Sequence, residues 1–254
     1  MSNLRTPPEF GRKSVAEVRN PHRHTGPFQR IALVGATGLI GTTLIRLSSE
    51  GDVARIVGIA RREMTMPEGA RMEMFVAEAD KWGEVLEAVR PRALICALGT
   101  TWAKAGRNEE AFRAVDQDLI VDIARQAKEA GITNFVLISA AGADARSKNF
   151  YLKVKGETED MVSKLGFKRL DMLRPGLLRG ARKSDFRLVE RAAIMFSPII
   201  DPLLPQKYAS FRSIEAELVA EAALGLSLRR AAGRFTHDNE AMRRAAREWR
   251  AKSE

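Results

Sequence analysis

The sequence predicts an α/β protein built on a doubly wound parallel sheet, Rossmann-like, with a small C-terminal cap. Short apolar runs alternate with helical patterns about six times along the chain. A glycine-rich turn separates the first apolar run from the first helical pattern. Right-handed crossovers bring the C-terminal ends of parallel strands to one edge of the sheet, and we therefore expect a ligand site at that edge.

The elements can be placed in order from these patterns. Six apolar runs predict strands over 31–34, 54–60, 72–77, 93–98, 134–139 and 169–173. Helical patterns follow the glycine turn and recur over 80–89, 109–130, 147–165 and 239–254. Gly51, Gly131 and Gly166 stand where helices commonly end. Residues 29–254 are thus expected to form a single domain, with a cap region over about 177–230.

Residues 1–28 are rich in Arg and Pro and are expected to form a loosely ordered arm. They contain no apolar segment typical of a secretory signal. A transit peptide is an alternative interpretation that Glu9 and Glu17 weaken, so the sequence favours a cytoplasmic location. The most apolar late stretch, 192–204, is too short and too interrupted by proline to predict a membrane span.

The composition of the chain limits which kinds of ligand or metal site it can form. The chain has 254 residues, with 42 Lys and Arg against 32 Asp and Glu, and a formal charge of +10. Such an excess is compatible with nucleic acid, an anionic membrane or a phosphorylated ligand. The four arginines at 243, 244, 247 and 250 have helical spacing and no interleaved aromatic residues, which favours a solvated face over a nucleic-acid site. One cysteine and three histidines predict neither a disulfide nor a metal site.

The glycine-rich turn Gly35-Ala-Thr-Gly38-Leu-Ile-Gly41 predicts a dinucleotide site because it lies between a strand and a helix. The first glycine permits a tight turn, the second lets the backbone approach a pyrophosphate, and the third lets helix and strand pack closely. The helix N-terminus then faces the phosphates. A glycine-rich turn without a ligand is the alternative.

Two arginines, Arg61 and Arg62, follow the second strand, where proteins that prefer NAD usually have an acidic residue. Guanidinium groups suit a 2′-phosphate. The sequence therefore predicts NADPH in preference to NADH. Two solvated arginines in an Arg-rich chain are the alternative interpretation.

Ser139, Tyr151 and Lys155 form a candidate catalytic set. Tyr151 and Lys155 are four residues apart and so share one face of a helix. Ser139 ends the fifth predicted strand, at the edge where the cofactor is expected. In such a set the tyrosine exchanges a proton with the substrate oxygen. We expect Lys155 to lower the pKa of Tyr151 and to contact the nicotinamide ribose, and Ser139 to hold the carbonyl oxygen.

Residues 30 to about 182 resemble the Tat-interacting oxidoreductase-like proteins, an atypical group of short-chain dehydrogenases/reductases. The segments that carry the resemblance are, in order, GATGLIG at 35–41, IARR at 59–62, ALGTTWAKAG at 97–106, LISAAGAD at 137–144, NFYLKVKGETE at 149–159 and LRPGLLRG at 173–180. The resemblance implies an NADPH-binding Rossmann domain. It implies pyrophosphate contacts for Gly35, Thr37, Gly38, Leu39 and Ile40, a 2′-phosphate contact for Arg61, ribose contacts for Leu98 and Gly99, and nicotinamide contacts for Pro175, Gly176, Leu177 and Leu178.

Two functions follow from these observations. The first is an NADPH-dependent oxidoreductase that transfers hydride to or from a small carbonyl or alcohol substrate. The second is an NADPH-binding regulatory or assembly protein without turnover, since some members of the resembling family are known in such roles. Apolar residues hint at a hydrophobic substrate, although they would equally serve as core or as the face of a homodimer: Leu177, Leu178, Ile194, Met195, Phe196, Ile199 and Ile200.

Overall fold

A computed structural model describes residues 29–50, 54–65, 72–180 and 211–253 of the chain. Its strands are β1 (Gln29–Val34), β2 (Ala54–Ala60), β3 (Glu73–Val76), β4 (Ala93–Cys96), β5 (Asn134–Ile138), β6 (Arg169–Leu173), β7 (Leu178–Arg179), β8 (Ile214–Glu215) and β9 (Gly233–His237). Seven of them form one sheet in the order β3-β2-β1-β4-β5-β6-β9, and β7 pairs with β8 separately. Every pairing in the main sheet is parallel.

Helices cover both faces of this sheet. They are α1 (Leu39–Glu50), α2 (Trp82–Val89), α3 (Glu109–Arg113), α4 (Leu119–Glu129), α5 (Phe150–Ser163), α6 (Ala216–Ser227) and α7 (Asn239–Ser253). A 3-10 turn, Ala79–Lys81, precedes α2, and a π-helical turn, Ala114–Asp118, joins α3 to α4. The doubly wound parallel sheet that the sequence predicts is confirmed.

The strands read as continuous apolar runs because both of their faces are buried. On β1, Ile31 and Leu33 belong to the core layer that includes α1 and α6. Ala32 and Val34 belong to the opposite layer, with α2 and α4. All four residues have no exposed surface. Strand β1 is therefore covered by a core layer on each of its faces.

The structure differs from the predicted elements in several places. The predicted helix over 109–130 is interrupted by the π-helical turn. The edge strand β9 was not predicted, because its sequence GRFTH is short, polar and half-exposed. Helix α6 falls within the range assigned to a cap, yet it packs on α1 and on the central strands as part of the main layer. The apolar residues named at 194–200 lie outside the described residues.

Two absences concern the described residues alone. No helix among them is both long and apolar enough to cross a bilayer. Across the same ranges, no three His, Cys, Asp or Glu side chains come together as a potential metal site.

Candidate functional site

The predicted site residues gather at the C-terminal edge of the sheet. Strand β1 lies between β2 and β4, so the chain reverses its direction of progress across the sheet there, which is where ligands of such folds bind. Gly35 directly follows β1, Arg61 follows β2, and Ser139 follows β5. The Ser139 N–H donates to the Leu173 carbonyl at 2.7 Å, which ties the end of β5 to the end of β6.

The glycine turn is packed too tightly for side chains. Gly35 has φ +87°, and a Cβ there would lie 2.4 Å from the Ala97 carbonyl. A Cβ on Gly41 would lie 2.2 Å from the Gly35 carbonyl oxygen. The Gly38 N–H donates to that same oxygen at 3.1 Å, and α1 begins at the next residue, Leu39. The turn thus presents bare backbone at a helix N-terminus, a surface that suits a pyrophosphate.

The other residues assigned to the turn differ in how far their side chains are exposed. Thr37 is exposed at the tip of the turn, whereas the side chains of Leu39 and Ile40 are buried in the core. Leu39 and Ile40 can therefore meet a phosphate only through their backbone. Arg61 and Arg62 are both exposed beyond β2, and neither forms an ion pair with another described residue.

The loop after β4 joins the glycine turn to the predicted catalytic helix. The Ala97–Leu98 backbone lies against Gly35, and a Cβ on the next residue, Gly99, would lie 3.7 Å from Lys155 Nζ. Leu98 is half-buried, and Gly99 is exposed. The structure therefore places the predicted ribose-binding residues between the dinucleotide turn and Lys155.

Lys155 is buried and paired with an acid. Its Nζ lies 2.7 Å from Asp116 Oδ1, and both side chains are almost wholly buried. The other oxygen, Asp116 Oδ2, accepts from the Thr100 N–H at 2.7 Å. Burial by itself lowers the pKa of Lys155, but the Asp116 and Tyr151 charges and the Asp116 hydrogen bond outweigh it, so the pKa is raised.

Tyr151 lies one helical turn before Lys155, at the rim of the site, with 37% of its surface exposed. Loss of water around the phenol raises the pKa of Tyr151, the Lys155 charge lowers it, and the Asp116 charge raises it. The result is a raised pKa. The Lys155 charge thus acts in the predicted direction, but the burial of the phenol outweighs it and Asp116 adds to the rise, so the pKa of Tyr151 is raised and not lowered.

Ser139 carries a buried hydroxyl that lacks a partner. The residue is 7% exposed, and its Oγ has no hydrogen-bond partner among the described residues. Burying an unpaired hydroxyl is unfavourable, and a bound molecule that offers an oxygen would relieve that cost. The following loop packs on α5, since the Asp144 N–H donates to the Leu152 carbonyl.

The segment after β6 forms the far wall. Pro175 is buried, Gly176 and Leu178 are half-buried, and Leu177 is 42% exposed. The Gly176 N–H donates to Asn239 Oδ1 at 3.1 Å, and Asn239 Nδ2 donates to the Arg212 carbonyl at 2.7 Å. Asn239 at the start of α7 thus anchors the segment assigned to the nicotinamide.

Sequence reasoning missed Asp116, although a signal for it exists. Phe112, Asp116, Ile120 and Ile123 share one face of the predicted helix, so an acid interrupts an otherwise apolar stripe. A carboxylate on a buried face normally has a charged partner. Asn239 offers no comparable signal, because its partners are backbone groups from distant segments.

Sequence comparison identifies related proteins. The profile of a family described as NAD(P)H-binding matches residues 35–197. The chain is 33% identical over 206 residues to protein fmp52, mitochondrial, of Emericella nidulans, with 78% of this chain and 87% of that protein covered. It is 37% identical over 161 residues to protein FMP52, mitochondrial, of Candida albicans, with 61% of this chain and 70% of that protein covered.

Solved structures show the same fold at low sequence identity. A UDP-glucose 4-epimerase of Thermus thermophilus in complex with NAD matches with a TM-score of 0.62 and 16% identity, over 87% of this chain and 83% of that one. MoeE5 in complex with UDP-glucuronic acid and NAD matches with a TM-score of 0.62 and 14% identity, over 83% and 76%. At such identities the comparison establishes the fold alone.

The comparisons correct one expectation and identify the family. The expected cytoplasmic location is wrong, because the curated fungal relatives are named as mitochondrial proteins. The misleading observation was the pair of acids, Glu9 and Glu17, in an arm otherwise rich in Arg. From the profile match and the fungal relatives together, the chain belongs to the family described as NAD(P)H-binding.

Proposed function

We propose that this protein is an NADPH-dependent oxidoreductase that interconverts a carbonyl and an alcohol. One set of contacts carries the proposal. The glycine turn lies against the Ala97–Leu98 backbone, and Gly99, the next residue, lies against Lys155 on the helix that carries Tyr151. A dinucleotide held by the turn would therefore extend toward the residues that can exchange a proton with a substrate.

The cofactor fits what the described residues offer. The bare backbone from Gly35 to Gly41 suits the pyrophosphate, Leu98 and Gly99 the adenosine ribose, and the segment 175–178 the nicotinamide. When bound, the dinucleotide supplies the hydride. The unpartnered Ser139 hydroxyl supports the presence of a further oxygen-bearing ligand beside it.

Each catalytic residue then has a separate task. In the reduction, the carbonyl carbon gains the hydride and the carbonyl oxygen gains the phenol proton of Tyr151, which yields the alcohol. Ser139 donates a hydrogen bond that holds this oxygen in place. Lys155 would hold the nicotinamide ribose and the position of the phenol. In the oxidation, the phenolate of Tyr151 takes the proton back.

The preference for NADPH rests on Arg61 and Arg62. Both guanidinium groups are exposed just beyond β2, where the 2′-position of the adenosine ribose lies in this fold. Neither is engaged by a described carboxylate, so both are available to a 2′-phosphate. No acidic residue stands between β2 and these arginines to accept a ribose hydroxyl.

The substrate we propose is a hydrophobic carbonyl compound. Four aromatic rings pack together at the site, with Phe112 buried and the other three at least partly exposed: Trp102, Phe112, Phe150 and Tyr151. Trp102 is 38% exposed. Phe112 contacts both the Trp102 ring and the Tyr151 ring. An apolar group attached to the reacting carbonyl would gain by covering this surface. Following the fungal relatives, we place the protein in mitochondria.

The replacement Tyr151→Phe tests the proposal. We expect it to abolish turnover and leave the dissociation constant for NADPH within about twofold, because a lost proton donor slows chemistry without removing cofactor contacts. Turnover is measured as NADPH oxidation with a panel of alkyl and aryl aldehydes and ketones, and with UDP-sugars as the polar comparison.

Two results would contradict the proposal. Equal turnover by Tyr151→Phe and the unmodified protein would remove the tyrosine from the mechanism. Tight NADPH binding with no turnover on any carbonyl would favour the alternative of a regulatory or assembly protein that uses the nucleotide to stabilise its fold.

A further inference from the structure

Most of the large apolar side chains that the described residues expose lie around the candidate catalytic set. Six large hydrophobic side chains are exposed among these residues, and four of the six border the site. The four are Trp102 after β4, Tyr151 at the start of α5, Leu177 before β7 and Phe211 before β8. Apolar surface that is gathered in one place and left in water commonly marks a ligand site.

Phe211 packs on the loop that follows Ser139. A Cβ on Gly142, three residues after Ser139, would lie 2.9 Å from the Phe211 ring and 3.4 Å from the Leu152 side chain. A Cβ on Gly176 would lie 2.9 Å from the backbone carbonyl carbon of Phe211. Phe211 therefore meets the site at two points, with its ring at the Ser139 loop and with its backbone at the segment assigned to the nicotinamide. The ring is nevertheless 45% exposed.

Trp102 reaches the catalytic helix on the other side of Tyr151. The ring centroids of Trp102 and Phe150 are 5.3 Å apart, whereas Leu152 and Phe211 lie against the same loop glycine. Successive residues of an α-helix are rotated by about 100° around its axis, so Phe150 and Leu152 flank Tyr151 in opposite directions. The exposed phenol thus stands between two apolar walls, which we name the Trp102 wall and the Phe211 wall.

We propose that the substrate is a ketone with an apolar group on each side of its carbonyl, one against each wall, and that Phe211 determines the specificity for the second group. This inference rests on the proposed function and narrows its substrate class from hydrophobic carbonyl compounds to ketones. The carbonyl oxygen is held by Ser139 and Tyr151, so the two substituents extend to either side. The carbonyl carbon gains a hydride, the oxygen gains the Tyr151 proton, and the product is a secondary alcohol.

The two walls distinguish a ketone from an aldehyde. An aldehyde carries a hydrogen in place of its second substituent, so it leaves one wall in water. A second apolar group that is buried in the transition state should raise kcat/KM by about fourfold for each methylene. Because the carbonyl receives its hydride on one face, the choice of which group lies against which wall also decides which enantiomer of the alcohol forms.

A series of phenyl carbonyl compounds tests the proposal with the full-length protein and NADPH. Benzaldehyde, acetophenone, propiophenone and butyrophenone share the phenyl ring and differ in the second group. We expect kcat/KM to rise by about fourfold per methylene from acetophenone to butyrophenone, and butyrophenone to exceed benzaldehyde. A value that falls as the second group lengthens, or a series in which benzaldehyde is the best substrate, would overturn the proposal.

Two variants assign the groups to the walls. Phe211→Ala should remove most of the rise along the ketone series, because the second group then finds no apolar partner. Trp102→Ala should lower kcat/KM for all the ketones by a similar factor and keep the rise. Met161→Ala is the control, since it removes another exposed apolar side chain, ten residues beyond Tyr151 on the same helix, and should change neither. An undiminished rise in Phe211→Ala would refute the assignment.

The product of propiophenone gives a readout that is independent of the rate. The unmodified protein should form one enantiomer of the alcohol in large excess, measured by chiral chromatography. Phe211→Ala should lower that excess, because the enlarged space also admits the phenyl ring on this side. A racemic product from the unmodified protein, or an unchanged excess in Phe211→Ala, would contradict the two-walled site.

Failure of this inference can be told apart from failure of the proposed function. If benzaldehyde is reduced and the ketones are not, the oxidoreductase function stands and the inference fails. If no carbonyl compound is reduced, the proposed function fails, and calorimetric binding of propiophenone to the NADPH-loaded protein still tests the walls. Binding that Phe211→Ala and Trp102→Ala each weaken, and Met161→Ala does not, would support the two-walled site. Equal affinity in all four proteins would overturn it.

Discussion

Breaking the buried pair from the lysine side should cost a large part of the stability of the protein. Lys155→Met leaves the Asp116 carboxylate with no exposed surface and without its ammonium partner. Removing one member of a buried ion pair typically costs about 3–5 kcal/mol. The Thr100 N–H still donates to the carboxylate, so we expect the lower end, about 3 kcal/mol. For a domain of this size that loss corresponds to a melting temperature about 6–12 °C lower.

Urea unfolding followed by circular dichroism measures this cost, and a double-mutant cycle assigns it to the pair. Lys155→Met combined with Asp116→Asn removes both charges, and should be more stable than the sum of the single losses predicts by at least about 1.5 kcal/mol. Arg244→Met is the control, since its pair with Glu240 is exposed and should contribute only about 0.3–0.5 kcal/mol. A loss below about 1 kcal/mol in Lys155→Met, or strictly additive losses in the cycle, would refute the reasoning.

Two further predictions concern the glycine turn after β1 and the buried cysteine of β4. Gly35→Ala should destabilise the fold and abolish NADPH binding, because its Cβ would overlap the Ala97 carbonyl at 2.4 Å. Gly131→Ala has a similar φ, +80°, with no atom within 4 Å of the added carbon, so it should cost only about 1 kcal/mol and leave the NADPH affinity unchanged. Both quantities are measured by calorimetry, as NADPH binding and as unfolding. If the two variants changed the NADPH affinity and the stability to the same extent, the result would contradict the geometry. Cys96, with its pKa raised to about 12 by burial, should resist alkylation in the folded protein and react fully in denaturant; rapid labelling of the native thiol would contradict its burial.

The fold was accessible from the sequence because its strands are buried on both faces. A run such as Ile31 to Val34 is apolar throughout, and the glycines after it leave few alternatives for the turn. The edge strand β9 was not accessible, because an edge strand needs no continuous apolar run. Its Arg234 and Thr236 resemble the residues of an ordinary loop.

The site was accessible only in part. Gly35, Ser139, Tyr151 and Lys155 could be named because each follows a strand or lies on a recognisable helical pattern. Asp116 could not be predicted as a site residue because its partner, Lys155, is 39 positions away in sequence, and only the fold brings the two together. The raised pKa of Tyr151 follows first from the burial of its phenol, and Asp116 makes the smallest contribution. It could therefore not be obtained from the spacing of Tyr151 and Lys155, however informative that spacing is for the position of the two groups.

The most direct test of the account is a thermal unfolding titration with NADPH and NADH. At a nucleotide concentration of about 100 times the dissociation constant, binding should stabilise the protein by about 2.7 kcal/mol, or roughly 5–11 °C. We predict a shift with NADPH that exceeds the shift with NADH. Arg61→Ala should reduce the NADPH shift alone, and Arg234→Ala, which removes another exposed charge, on β9, should change neither. No shift with either nucleotide, or equal shifts that Arg61→Ala leaves unchanged, would contradict the account.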